Sequence, residues 1–187
     1  MVDSHTAGRL GTPLEGTGHR PWDPSAPIDA PLCLHRPTVL PQWVDYNGHM
    51  SESCYLLVFG DSSDAFFRYV GIDEDYRDMG GHSLYTVETH LHNLREASEG
   101  EALRLTLQLL DLDEKRLHIF HAMHHGKTGE LLATAEQMLV HVDMREGHAR
   151  AIPADLYQRL QAIRAAHAVL AVPPQVGHTM GIRRKPA

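Results

Sequence analysis

The residues best suited to chemistry sit together in Asp45-Tyr46-Asn47-Gly48-His49-Met50, a run that ends just before a long apolar stretch. Asn47-Gly48 reads as a tight turn, and residues from about 51 to 70 read as a helix. Asp45 would then stand at the helix N-terminus, where the first amides lack acceptors within the helix and carry partial positive charge. A carboxylate can attack or activate water, and free amides can hold negative charge on a carbonyl oxygen. The same aspartate is equally suited to tying down the Asn-Gly turn or capping the helix, so residue type alone leaves both roles open. Asn47, His49 and Glu52 have side chains able to orient Asp45, a water or a reacting carbonyl group; Asn47 also suits a left-handed turn, and His49 also suits filling space.

Two further carboxylates, Asp61 and Asp64, fall inside the expected helix. A buried charge is costly unless paired, so their simpler role is pairing with a basic group or lying at a subunit edge. The chain has 15 histidines, including His118, His121, His124 and His125. His90 and His92, two apart on a strand, would share a face, but there is no HExxH and no Cys/His set with zinc spacing. Solvated histidines on a sheet surface are expected, with no metal and no cofactor.

The elements that must position Asp45 follow from the pattern along the 187 residues. Residues 1–31 are rich in Gly and Pro and read as a flexible leader. Residues 32–146 form the expected folded domain, and 147–187 a C-terminal helix and basic tail. Leu32 to Val44, punctuated by Pro37 and Pro41, suits an irregular first strand at an edge. The following helix is apolar around most of its circumference, so something must wrap it, and Gly60 within it suggests close packing. Gly71 suits its stop.

After His82 the period changes to two. Leu103, Leu105, Leu107 and Leu109 alternate with polar residues, marking one buried face, and similar strands are expected at about 83–95, 116–125 and 131–144. A hairpin turn spans His125 to Gly129. Pro153 opens a last helix to about Val169, with Leu156, Leu160 and Ile163 on one side. A curved antiparallel sheet wrapped around one long central helix, an α+β arrangement, fits this order.

The formal charge of -7 opposes general attraction to nucleic acid. No apolar run reaches the roughly 18–20 residues a membrane span needs, and the first thirty residues lack secretory-signal character. Cys33 and Cys54 form no CxxC pair and read as free thiols of a reducing compartment. A cytoplasmic location is expected, with no nucleic-acid or membrane partner.

The Asp45-Tyr46-Asn47-Gly48-His49-Met50 turn, placed before an apolar helix and followed by Tyr55, resembles the Asp-x-x-Gly-x-[Met/Val] turn of hotdog-fold thioesterases related to 4-hydroxybenzoyl-CoA thioesterase. The resemblance covers about residues 33–145. Within that family, Val87-Glu88-Thr89-His90-Leu91, Glu99-Gly100-Glu101 and the terminal Arg183-Arg184-Lys185 are most similar to betainyl-CoA thioesterases and to the thioesterase domain fused to some carnitine dehydrogenases. No dehydrogenase domain is expected within these residues.

The resemblance implies a hotdog fold and acyl-CoA hydrolysis, with betainyl-CoA from carnitine breakdown as substrate. It implies Asp45 as nucleophile or general base and the Glu52 amide as the group polarising the thioester carbonyl, with Gly48 allowing close approach. It also implies an active site at the interface of a homodimer or homotetramer. A trimethylammonium acyl group would need aromatic faces, for which Trp43, Tyr46 and Tyr55 stand nearest the motif. Arg183, Arg184 and Lys185 form the densest basic run for CoA phosphates. A thioesterase for another acyl group and a noncatalytic acyl-CoA-binding module are the alternatives. A hotdog subtype with its acid inside the helix usually has a His-Gly-Gly element ahead of it, absent here, and the histidine-centred dehydratase motif is not matched.

Overall fold

A helix with apolar residues on most sides needs a surface that curves around it. In the computed structural model, which describes residues 20–182, that helix is α1, Glu52–Val70. The surface is an antiparallel sheet of β1 (Leu32–His35), β2 (His82–Asn93), β3 (Leu103–Leu112), β4 (Arg116–His125) and β5 (Leu131–Asp143). The strands lie in the order β1-β3-β4-β5-β2, and a short β6 (His148–Ala149) pairs with the end of β5. The short α2 (Glu74–Asp78) follows α1, and α3 (Ala154–His167) closes one end of the core. The fold is α+β, a half-barrel sheet around a central helix.

Register decides which residues meet α1. Leu107, His121, Ala135 and Leu91 fall in one cross-strand row, and Gln108, Phe120, Glu136 and His90 in the next. Because side chains alternate along each strand, the first row faces the helix and the second points to the opposite face. Leu103, Leu105, Leu107 and Leu109 are all buried, as their spacing requires. Thr106 and Gln108 on the other face are buried as well, and Gln108 Nε2 donates to the Ala171 carbonyl of the C-terminal segment at 3.4 Å.

Two apolar clusters share the helix. Met50, Tyr55, Val58 and Phe59 pack with Leu105, Met123 and Ala135 at its N-terminal half, whereas Phe66, Tyr69 and Val70 pack with Ile119, Leu139, Leu160 and Ile163 at its C-terminal half. Between them, Ser63 Oγ bridges His121 Nε2 and Gln137 Oε1, each at 3.1 Å. Gln137 in turn donates to Thr89 Oγ1 at 3.3 Å, which fixes helix to sheet with polar contacts. Gly71 ends α1 in the left-handed region at φ 95°. A Cβ there would lie 2.6 Å from Arg159 Nη1, whose guanidinium donates to the Val70 carbonyl, so glycine lets α3 brace the helix end.

Several expectations are corrected. Residues 20–31, expected within the flexible leader, make contacts with the folded domain: Trp22 packs edge-on to Tyr69 with centroids 5.6 Å apart, Ile28 joins the core, and His167 Nε2 lies 3.1 Å from the Asp29 carbonyl oxygen. Arg20 adds a contact over the Tyr69 ring and a pair with Asp29. The regular first strand stops at His35, because Pro37 and Pro41 interrupt pairing, and Pro41–Trp43 form a 3-10 turn. Gly60 is exposed, and a Cβ on it would meet nothing within 4 Å, so no neighbour within the chain requires glycine there. Residues 1–19 of the leader and Arg183-Arg184-Lys185 lie outside the described residues.

Candidate active site

The Asp45 turn is built by backbone pairing before any side chain contributes. Val44 bridges Met50, the Asp45 amide donates to the His49 carbonyl at 3.0 Å, and the Gly48 amide returns to the Asp45 carbonyl at 3.0 Å. Gly48 takes φ 82°, a conformation glycine adopts without steric cost. A Cβ on it would meet nothing within 4 Å in this chain, so the turn's conformation, rather than a crowded neighbour, explains the glycine. The Ser51 amide donates to the Trp43 carbonyl and the Met50 amide to Ala97, which fixes the approach of the turn to α1.

Asp45 Oδ1 accepts from the Asn47 amide at 2.8 Å, so the residue does tie down its turn. Among the described residues its Oδ2 accepts no hydrogen bond. Ser51, at the N-cap of α1, makes no capping bond through its side chain. Glu52 is the first helical residue, so its amide has no acceptor within the helix, and no described residue supplies one. The start of α1 therefore combines a partly committed carboxylate with an uncommitted donor at the positive end of the helix dipole.

Asp45, Asn47, His49, Glu52 and Tyr55 line one hollow of about 500 Å³, together with Met50, Asn93, Leu94, Arg95 and Glu96. His49 Nε2 lies 3.3 Å from the Glu96 carboxylate. Tyr55 donates its hydroxyl to the Arg95 carbonyl at 3.1 Å, and burial first of all raises its pKa, keeping the phenol protonated. Trp43 and Tyr46 do not line the hollow: Trp43 packs against the apolar cluster, and Tyr46 is 97% exposed. Residues 93–96 were not singled out in the sequence. They reach the hollow because β2 runs the length of the sheet and delivers its end beside a turn more than 40 residues earlier, a long-range placement without a local signature.

The two helix carboxylates differ. Asp64 Oδ2 receives Arg68 Nε at 2.9 Å, and Arg68 Nη1 also reaches Glu74 Oε2 at 2.8 Å. Burial opposes the Arg68 charge, but these bonds more than offset it, and its pKa rises. Asp61 is 5% exposed, and its carboxyl is pushed up to about 6 by burial and then by Asp64. Neither residue lines the hollow with Asp45.

The half-barrel sheet around one helix, fed by a carboxylate turn, defines a hotdog protein of the thioesterase kind. The chain belongs to the Thioesterase-like superfamily, whose profile matches residues 39–160. It is 42% identical over 151 residues to the betainyl-CoA thioesterase of Pseudomonas aeruginosa, covering 81% of this chain and 95% of that protein. It is 51% identical over 155 residues to a Rhizobium L-carnitine dehydrogenase/betainyl-CoA thioesterase, covering 82% of this chain but only 31% of that longer protein. The chain thus spans about a third of the fused relative.

Among solved structures, a candidate thioesterase from Pseudomonas putida KT2440 superposes with TM-score 0.74 at 35% identity, covering 82% of this chain and 98% of that one. A Staphylococcus aureus protein in complex with CoA superposes with TM-score 0.77 at 26% identity, covering 84% and 100%.

Proposed function

We propose that this chain hydrolyses the thioester of betainyl-CoA to betaine and CoA in carnitine breakdown, with the carbonyl held between Asp45 and the Glu52 amide. The observation that carries the reading is the meeting, in one hollow, of Asp45 and the helix-start residue whose amide has no acceptor. The amide polarises the carbonyl and holds the oxyanion as it forms. Asp45 then acts in one of two ways. Direct attack forms a mixed anhydride, expels the CoA thiolate and is completed when water cleaves the anhydride. Base catalysis instead removes a proton from the attacking water and leaves no covalent intermediate.

The substrate assignment rests on the named relatives and on the character of the hollow. Asp45, Glu52 and Glu96 place three carboxylates around it beside the Tyr55 ring, and Arg95, its one arginine, is already paired with Glu130. A quaternary ammonium forms no hydrogen bonds and is held by such charges and by aromatic faces. Trp43 and Tyr46 join the cage only if binding or a second subunit brings them in.

The same reading pairs two chains along β2. This edge strand of 12 residues exposes Tyr85 and Val87 and a free backbone edge, and its end at Asn93 borders the hollow. A partner there completes the site in a homodimer or a tetramer built from it. We place the reaction in the cytoplasm, where Cys33 and Cys54 persist as free thiols; no described helix is long and apolar enough to cross a membrane.

The test is thiol release from purified protein on betainyl-CoA, acetyl-CoA and 3,3-dimethylbutanoyl-CoA, the last matching the betainyl group in shape without its charge. Betainyl-CoA is expected to exceed its neutral isostere by roughly tenfold in kcat/KM, about 1.4 kcal/mol of cation recognition. Equal rates on the two would remove the substrate assignment, and no release from any ester would leave an acyl-CoA-binding module. Single-turnover hydrolysis in labelled water identifies direct attack followed by cleavage at the Asp45 carbonyl of the anhydride, the one course that puts solvent oxygen into the Asp45 carboxylate.

A further inference from the structure

The sheet face turned away from α1 carries a second cluster of chemical groups. His90 and His92 alternate onto that face of β2, and their rings stand 4.6 Å apart between centroids. His178, 86 residues further along the chain, closes over them with ring centroids 5.1 Å from His92 and 6.1 Å from His90. One nitrogen from each ring can be chosen so that all three lie within 4.8 Å of one another.

The loop that carries His178 is held in place from the sheet. The Gly177 amide donates to Glu136 Oε2 at 2.9 Å, while Glu136 Oε1 pairs with His118 Nε2 at 2.8 Å. Glu136 lies directly across from His90 in the strand register, so its charge sits beside the imidazole cluster. A hollow of about 300 Å³ bordered by His90, His178, His118 and Glu136 adjoins the cluster.

We propose that His90, His92 and His178 form a site for a divalent transition metal of the zinc type, which clasps the C-terminal segment to the outer face of the sheet. Three imidazoles suit zinc, cobalt, nickel or copper and disfavour magnesium and calcium, which require oxygen ligands. With metal–nitrogen bonds of about 2.0–2.1 Å, a tetrahedral ion sets its nitrogens roughly 3.3 Å apart. Closing from 4.8 Å to that spacing takes side-chain rotation shared among three rings.

The segment has reason to need a clasp. Val169, Val172, Met180 and Ile182 are all exposed, so little apolar burial secures it. The site faces away from α1, so its role is structural and independent of the thioester chemistry. Sequence spacing paired His90 with His92 but gave no signal for His178, whose place depends on the path of the tail.

The tag-free, chelator-stripped 187-residue chain should bind one Zn²⁺ per chain by calorimetry, and Co²⁺ should give visible absorption typical of a low-coordinate nitrogen site. His178→Asn should remove that equivalent or weaken it by at least about 100-fold, more than the loss of an outer partner generally costs. His178 lies outside the core elements, and circular dichroism checks that the variant remains folded. Zn²⁺ should slow protease cleavage of residues 170–182 at least severalfold in the parent and not in the variant. His124→Asn and His148→Asn, outside the cluster, should leave the titration unchanged. Absence of one-to-one binding by the parent would overturn the proposal, as would unchanged binding in a His90→Asn/His178→Asn double variant.

Discussion

The start of α1 and its remaining turns contain similar polar groups in opposite conditions. At the start, Asp45 uses one oxygen to hold its turn, the Glu52 amide has no acceptor among the described residues, and both border an open hollow. Further along, Ser63 binds His121 and Gln137, while Arg68 bridges Asp64 and Glu74. Groups in the helix body are largely consumed by the fold, whereas the helix start keeps bonding capacity, which the proposed function assigns to the substrate. A helix end supplies that capacity without a buried charge, because its unpaired amides follow from helix geometry itself.

If that division is right, activity and stability should fail separately. Asp45→Asn retains an oxygen for the Asn47 amide but loses the nucleophile or base, so kcat should fall by about 10²–10⁴-fold with little change in melting temperature. Steady-state kinetics beside thermal unfolding measures both. Arg68→Met should do the reverse. Removing a buried guanidinium from two carboxylates costs about 3 kcal/mol, a fall of roughly 6–12 °C in melting temperature, while kcat per folded molecule stays near that of the parent. A loss of kcat in a folded Arg68→Met protein would break the division.

Asp61 is the informative exception in the helix body, since it is buried without a described ion-pair or hydrogen-bond partner. Its carboxyl is raised to about 6, so between the unfolded value of 3.8 and about 6 the folded state holds the proton and the unfolded state releases it. Stability therefore declines as pH rises through that window, and the loss is complete above it. Asp61→Asn should raise the melting temperature by a few degrees at pH 8, and the gain should vanish near pH 4. Thermal unfolding across that range checks the sign, and an unchanged midpoint at pH 8 would mean that charged Asp61 is already compensated in the assembly.

The Asp45 turn, the long helix and the leucine alternation of β3 were legible in the sequence because each has a short-range signature: a turn dipeptide, a continuous apolar stretch and a period of two. The short α2 and β6 have too few residues to establish a period. Trp22 and Ile28 looked like part of a Gly- and Pro-rich leader because composition does not show that two apolar side chains have a surface to dock on. At the site, Asn47, His49, Glu52 and Tyr55 were reachable by proximity to Asp45 along the chain. Arg95 and Glu96 were not, since only strand register brings them there. Neighbours in sequence need not share a hollow within one chain: of Trp43, Tyr46 and Tyr55, only Tyr55 lines it.

In the proposed mechanism the oxyanion rests on the Glu52 amide, and proline can remove that donor while sparing the helix. Residue 52 is the first helical position, where proline is well tolerated, and Ser51 at φ -61° and ψ 144° already has the extended conformation that a following proline requires. Comparing Glu52→Pro with Glu52→Ala by thiol release on betainyl-CoA isolates the amide from the side chain. The expected result is a kcat loss of about 10²–10³-fold for proline, with alanine raising KM for the cationic ester while largely preserving kcat. A folded Glu52→Pro enzyme with kcat near that of the parent would mean that the Glu52 amide does not hold the oxyanion.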